Sequence, residues 1–190
     1  VEFRGGTQLT VGTTSTYESL DASFSVAGVS VPTGDYWFHE GRMRLEFPRA
    51  WVRRGDATLT AGTFYDGTRV GVALNPTWTV TKHLEIISGY EINRISFADR
   101  NESTTAHLAK LNLQMALDSK ISFSTLAQYS NISDFTSMNV RFRYHFREAT
   151  DLWIVWNEGF NTERSNGLDP RLPASAGRSI LVKYSHALIW

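Results

Sequence analysis

Two Arg-x-Arg pairs, Arg42 with Arg44 and Arg141 with Arg143, are the residues whose type and spacing point most directly to chemistry. Side chains two positions apart on an extended strand project to the same side, so each pair would set two guanidinium groups on one face. Lining a water-filled passage, such a strip selects anions or saccharide acids. Facing carboxylates, it becomes a ladder of ion pairs that braces the structure, and Glu40, Glu46, Glu85 and Glu91 recur at the same period. Lys110 adds a further charge to a face of this kind. With 19 basic and 19 acidic residues in the chain, the balance favours the ladder.

Other chemistry is thinly represented. The chain has no cysteine, which removes disulfides, thiolate metal sites and cysteine nucleophiles together. His39, His83, His107, His145 and His186 show no i, i+4 pairing and no clustered ligand spacing, so no metal site is expected. No cofactor motif stands out. A rim enzyme would need an inward His–Asp or Ser–His pair; Asp66, Asp99, Glu102, Asp134 and Glu163 fall at the outer rim with no clear histidine partner on that rim. Net charge is zero and no basic stripe exists to steer phosphates, so no nucleic-acid partner is expected.

The elements that must position these residues announce themselves by period two. Thr136, Met138, Val140, Phe142, Tyr144 and Phe146 alternate with Ser137, Asn139, Arg141, Arg143 and His145. A helix would mix the two sets, whereas a strand separates them. The pattern recurs: Trp37, Met43, Leu45 and Phe47 oppose Glu40, Arg42, Arg44 and Glu46, and Leu111, Leu113, Met115 and Leu117 oppose Lys110, Asn112 and Gln114. Only 152–160 is ambiguous, with aromatics on both faces. About ten strands follow, at 6–17, 36–47, 57–66, 69–80, 83–97, 104–117, 120–131, 134–146, 150–161 and 178–190.

Connections lean toward the alternation of outer-membrane barrels, where turns on one side are short and loops on the other long; the link 48–56 is longer than a turn, and the connections near Gly67 and Ser133 are short for loops. Segments 147–150, 118–119 and 81–82 read as tight turns; 20–35, 98–105 and 161–177 read as polar loops. Aromatics gather toward strand ends, with Phe47, Trp51, Trp78, Tyr144, Phe146 and Trp190 at one end and Trp37, Tyr65, Tyr129 and Phe160 at the other. Two such belts suit the two interfaces of a bilayer. Ile180, Val182, Tyr184, Leu188 and Trp190 form one face of a strand that runs to the last residue. No uncharged apolar run approaches the roughly 18 residues of a membrane helix, and a barrel strand needs none. The expected fold is all-β: one antiparallel transmembrane β-barrel domain spanning 1–190. The same alternation also suits a soluble β-barrel or sandwich.

Several stretches resemble a largely uncharacterised family of bacterial envelope proteins. They are Phe3-Arg4-Gly5-Gly6-Thr7-Gln8-Leu9, Tyr17-Glu18-Ser19-Leu20-Asp21, Val155-Trp156-Asn157-Glu158-Gly159-Phe160-Asn161-Thr162, Asp169-Pro170-Arg171-Leu172-Pro173 and the strand to Trp190. Members place a carbohydrate-binding-like β-sandwich before a C-terminal outer-membrane barrel, and the resemblance covers that barrel region alone. It implies that strands upstream of Val1 would enlarge the barrel. It also implies a C-terminal insertion signal, matched by Lys183, Ser185, Leu188 and Trp190, with Ser185 where glycine is usual. The partners implied are outer-membrane lipid, the barrel insertion machinery and other envelope proteins; no catalytic residues transfer. The functional expectation is a pore or transport component, or a membrane anchor for an envelope complex. The alternatives are a rim enzyme and a soluble binding module. The run 26–32 is apolar for a loop, which suggests a plug in the lumen or a docking segment.

Overall fold

A segment with one polar and one apolar face keeps the two apart only when extended. The computed structural model describes residues 1–26, 28–48, 53–165 and 170–187, and strands dominate it. Ten long strands form one antiparallel sheet. Its order is β1 (Gln8–Leu20), β4 (Gly34–Glu46), β5 (Arg53–Phe64), β6 (Gly67–Thr81), β7 (Leu84–Phe97), β8 (Glu102–Ala116), β9 (Ile121–Ser130), β10 (Phe135–Arg147), β11 (Thr150–Asn161) and β12 (Ser175–His186). Two short strands, β2 (Phe24–Val26) and β3 (Val29–Val31), make a separate hairpin between β1 and β4. One turn of 3-10 helix, Ala98–Arg100, follows β7. Among the described residues no ladder joins β1 to β12.

The long strands are those that alternation predicts, with shifted ends. β5 begins at Arg53 rather than 57, because Glu46 pairs with Asp56 and the Phe47 amide donates to the Gly55 carbonyl at 2.9 Å. Residues 53–56 carry no apolar alternation, so periodicity cannot see this extension. β2 and β3 escape for the same reason: three residues are too few to show a period. The connection 20–35, expected to be a loop, therefore holds a hairpin.

Two-residue turns close β5–β6 (Tyr65-Asp66), β6–β7 (Lys82-His83) and β10–β11 (Glu148-Ala149). A tight turn fixes register, and a one-residue slip would exchange the two faces. Tyr65 takes a left-handed φ of 51°, unusual for a bulky residue. Its ring is held edge-on by Phe24, Tyr36, Phe38 and Phe64 at 4.9–5.4 Å. In the β8–β9 turn, Asp118 accepts the amides of Lys120 and Ile121 at 2.7 and 2.8 Å, which closes the turn through a side chain.

By packing, the chain divides into two units, 1–76 with 89–108, and 77–88 with 109–190. In the first, Leu9, Val11, Met43, Leu45 and Leu59 share a face by register, and Thr10, Thr14, Glu40, Arg42, Arg44 and Thr60 share the other. In the second, Phe123, Val140, Phe142, Trp156, Ile154, Ile180 and Val182 share a face opposite Ser124, Arg141, Arg143 and Trp153. This register resolves the ambiguous segment: Trp153 lies on the polar face and Trp156 on the apolar one.

The apolar face is uncovered. Among the described residues only Val31, Ile95 and Phe97 are buried apolar side chains, whereas twenty-four large apolar side chains are exposed. They include Val11, Met43, Leu59, Val70, Leu74, Ile180 and Val182, all from that face. A water-soluble domain of this length gathers its apolar side chains between two layers. Here one layer carries them.

Candidate functional site

Threonine and charge dominate the polar face of the first unit. Thr10 pairs with Arg44 and Thr14 with Glu40, so β1 lays hydroxyls beside the charges of β4. Together with β5 and β6 they border a cleft of about 590 Å³. Every arginine in it is answered. The Glu40 carboxylate accepts from Arg42 at 3.0 Å and also from Arg69. Arg44 reaches Glu46 at 3.1 Å and Asp56 at 3.2 Å. Arg42 and Arg44 therefore sit in the bracing arrangement that the charge balance suggests. Glu91, on β7, accepts an amide hydrogen bond from Asn93 at 2.7 Å.

At one end of this unit the β2–β3 hairpin is latched. The Arg100 guanidinium donates to the Ser30 carbonyl, bonds Asp66 at 2.9 Å and lies 4.4 Å from the Phe97 ring centroid. Phe24 meets Tyr65 edge-on, and Tyr36 donates its hydroxyl to the Pro32 carbonyl at 2.8 Å. Val31 and Phe97, buried almost completely, belong to this end. The apolar run 26–32 thus lies against the strand-end turns of its own unit; Ala27 falls outside the described residues.

A second cleft, of about 710 Å³, lies on the polar face of the other unit. Asn112 and Gln114 of β8, Ser122 and Ser124 of β9, and Asn139, Arg141 and Arg143 of β10 border it. Glu85 and Lys82 lie at its margin. Lys110, two positions before Asn112 on β8, shares that face by the strand period. Arg143 is tied down: its Nε donates to Asp151 at 2.8 Å and its guanidinium sits 5.2 Å from the Trp153 ring centroid. Asn139 and Asn157 are bonded to each other. Arg141 differs. Directly across from it stand Ser124 on β9 and Val155 on β11, and neither can neutralise it. Among the described residues it has no ion-pair or hydrogen-bond partner. Asn112 Oδ1 in the same cleft is buried and also lacks a hydrogen-bond partner.

Each histidine has a polar neighbour. His39 meets Ser15 at 2.9 Å and stacks on Trp37; His107 meets the Tyr90 hydroxyl at 2.7 Å; His83 meets the Ala116 carbonyl at 2.8 Å. His145 bonds Asp151 at 3.0 Å on the polar face, beside the 148–149 turn. This is a His–Asp pair of the sort an enzyme uses, but among the described residues no serine or threonine hydroxyl is hydrogen-bonded to His145. Its carboxylate is shared with Arg143, which suits a brace.

On β12, Lys183 pairs with Trp153 and Ser185 with Asp151, both on the polar face. His186, on the apolar face, satisfies itself on Thr150 Oγ1 at 2.9 Å. Leu188 and Trp190 lie outside the described residues, as does Trp51. Just before the β12 terminus, Tyr144, Phe146 and Tyr184 form a chain of rings, with centroids 4.6 and 6.2 Å apart.

Sequence reasoning did not anticipate an ion pair on the apolar face. Glu158 and Arg178 are cross-strand partners on the apolar face, joined by two hydrogen bonds of 2.8 Å. Only the β11–β12 register brings them together, and the long 162–174 connection hides that register from the sequence. No family model, curated protein or solved structure matches this chain.

Proposed function

We propose that the chain forms membrane-spanning strands of a bacterial outer-membrane β-barrel, whose polar face lines the interior and passes small polar solutes. The observation that carries this reading is the uncovered apolar face set against a face of ion pairs and hydroxyls. Exposed apolar area on this scale has to be covered, and hydrocarbon covers it while the alternating charged face stays wet. The strand lengths of 10–15 residues are enough to cross the hydrocarbon core at a barrel tilt. The rings of Tyr144, Phe146 and Tyr184 at one strand end suit an interfacial belt. The segments that resemble the envelope barrel family, the insertion signal at Lys183 and Ser185 among them, point the same way. Barrel closure and any further strands belong to this proposal.

A second reading, membrane anchor of an envelope complex, is favoured by the latched hairpin and the aromatic cluster around Tyr65, which fill one end of the first unit. Two measurements decide. Purified protein should need detergent or lipid to remain monodisperse; a monodisperse monomer in plain buffer would remove the membrane reading. In a planar bilayer, discrete conductance steps support the pore, and a silent but inserted protein supports the anchor.

A further inference from the structure

We propose that the cleft of the second unit binds a small hydroxylated carboxylate, a sugar acid, with Arg141 as its anion contact. This rests on the reading that the polar face lines a water-filled interior. The charge asymmetry is the starting point. Arginines elsewhere on the polar faces are answered by carboxylates: Arg42, Arg44 and Arg69 in the first unit, and Arg143 in the second. Arg141 is the exception, flanked across the sheet by Ser124 and Val155. A guanidinium with its fork unfilled matches a carboxylate in two-point geometry. Lys82 and Glu85 also line the cleft with opposite charges, which leaves Arg141 as the anion contact.

The rest of the lining selects what carries that carboxylate. Asn112, Gln114, Ser122 and Ser124 offer amides and hydroxyls, groups that both donate and accept. Ligand hydroxyls can bond these groups; an inorganic anion or a simple fatty carboxylate has none to offer. A ligand that satisfies more of the polar lining gains relative to one that cannot. The volume, about 710 Å³, admits a monosaccharide with water around it and lies within the range of small-molecule sites. Trp153, whose ring backs Arg143, also lines the cleft.

The test is calorimetric titration of the detergent-purified protein with galacturonate, galactose and acetate. Galacturonate should bind at least ten-fold more tightly than either of the other two, and more weakly as salt is raised. Arg141→Gln should remove the preference of galacturonate over galactose, and Asn112→Leu the preference over acetate. Strand circular dichroism and the melting temperature should stay unchanged in both variants. Equal binding of galacturonate and galactose, undiminished binding by folded Arg141→Gln, or no binding of galacturonate by the folded protein each overturns the proposal. Such a result leaves detergent dependence as it was. Monodispersity without detergent strikes instead at the membrane reading, whatever the titration gives.

Discussion

Glu158 and Arg178 stand opposite each other on a face otherwise made of Met138, Trp156 and Ile180. The Glu158 side chain is 1% exposed and that of Arg178 60%, so the arginine covers the carboxylate. A charge left alone on an apolar face is costly, whereas replacing both charges with neutral groups of similar size is nearly neutral. Arg178→Leu should therefore lower the melting temperature in detergent, and Arg178→Leu with Glu158→Leu should recover most of the loss. Equal melting of the single and double variants would show that the pair is incidental. Phe97 makes a different case. It is 1% exposed, one of three buried apolar side chains among the described residues, so Phe97→Ala should cost about 3–5 kcal/mol in urea unfolding. Gly62 is a matter of clearance: a Cβ there would run into the His39 carbonyl and stand 2.8 Å from the Glu40 Cα. Gly62→Val should cost about 1–3 kcal/mol by the same measurement. Of these residues, sequence alone marks the charges of Arg42, Arg44, Arg141 and Arg143, because period two assigns their face. It does not mark which arginine is answered, since Asp56 and Asp151 reach Arg44 and Arg143 only through cross-strand register.

At the scale of the element, legibility depends on length. Strands of ten residues or more announce their faces, and β10 does so residue by residue. β2 and β3 stay silent at three residues each, and their position is set by Arg100, seventy positions away from Ser30. Arg100→Ala should free that hairpin; protease cutting within 21–33 should rise while the β1–β4 pairing persists, as seen by peptide mapping of the nicked but intact protein. Turns carry their own pH response. The backbone amides of Lys120 and Ile121 hold the Asp118 carboxyl below its ordinary range. The folded value is thus lower than the unfolded one, so the contribution of this turn is complete above the ordinary carboxylate range and fades as pH drops through the lowered folded value. Hydrogen exchange at the Lys120 and Ile121 amides should accelerate in acid relative to neighbouring strands. Asp118→Asn, whose amide oxygen accepts at any pH, should flatten that dependence.

For the whole molecule, the inverted distribution of apolar residues matters most, because among the described residues only Val31, Ile95 and Phe97 are buried apolar side chains. Its stability should follow the medium that covers the apolar face: shortening or diluting the detergent should lower the melting temperature before any ion pair is touched. The linear order of the sheet has a separate consequence. Every long strand pairs with the long strand next to it in the chain, and only the β2–β3 hairpin interrupts the series. Closing each pair costs the entropy of a short loop rather than that of a long excursion. The repeating unit of inheritance is then the hairpin: a duplication or deletion of two adjacent strands leaves every remaining neighbour in place, its faces and register unchanged. Sheets of different strand number are separated by one such event, so width can drift in evolution while the alternation within each strand stays fixed.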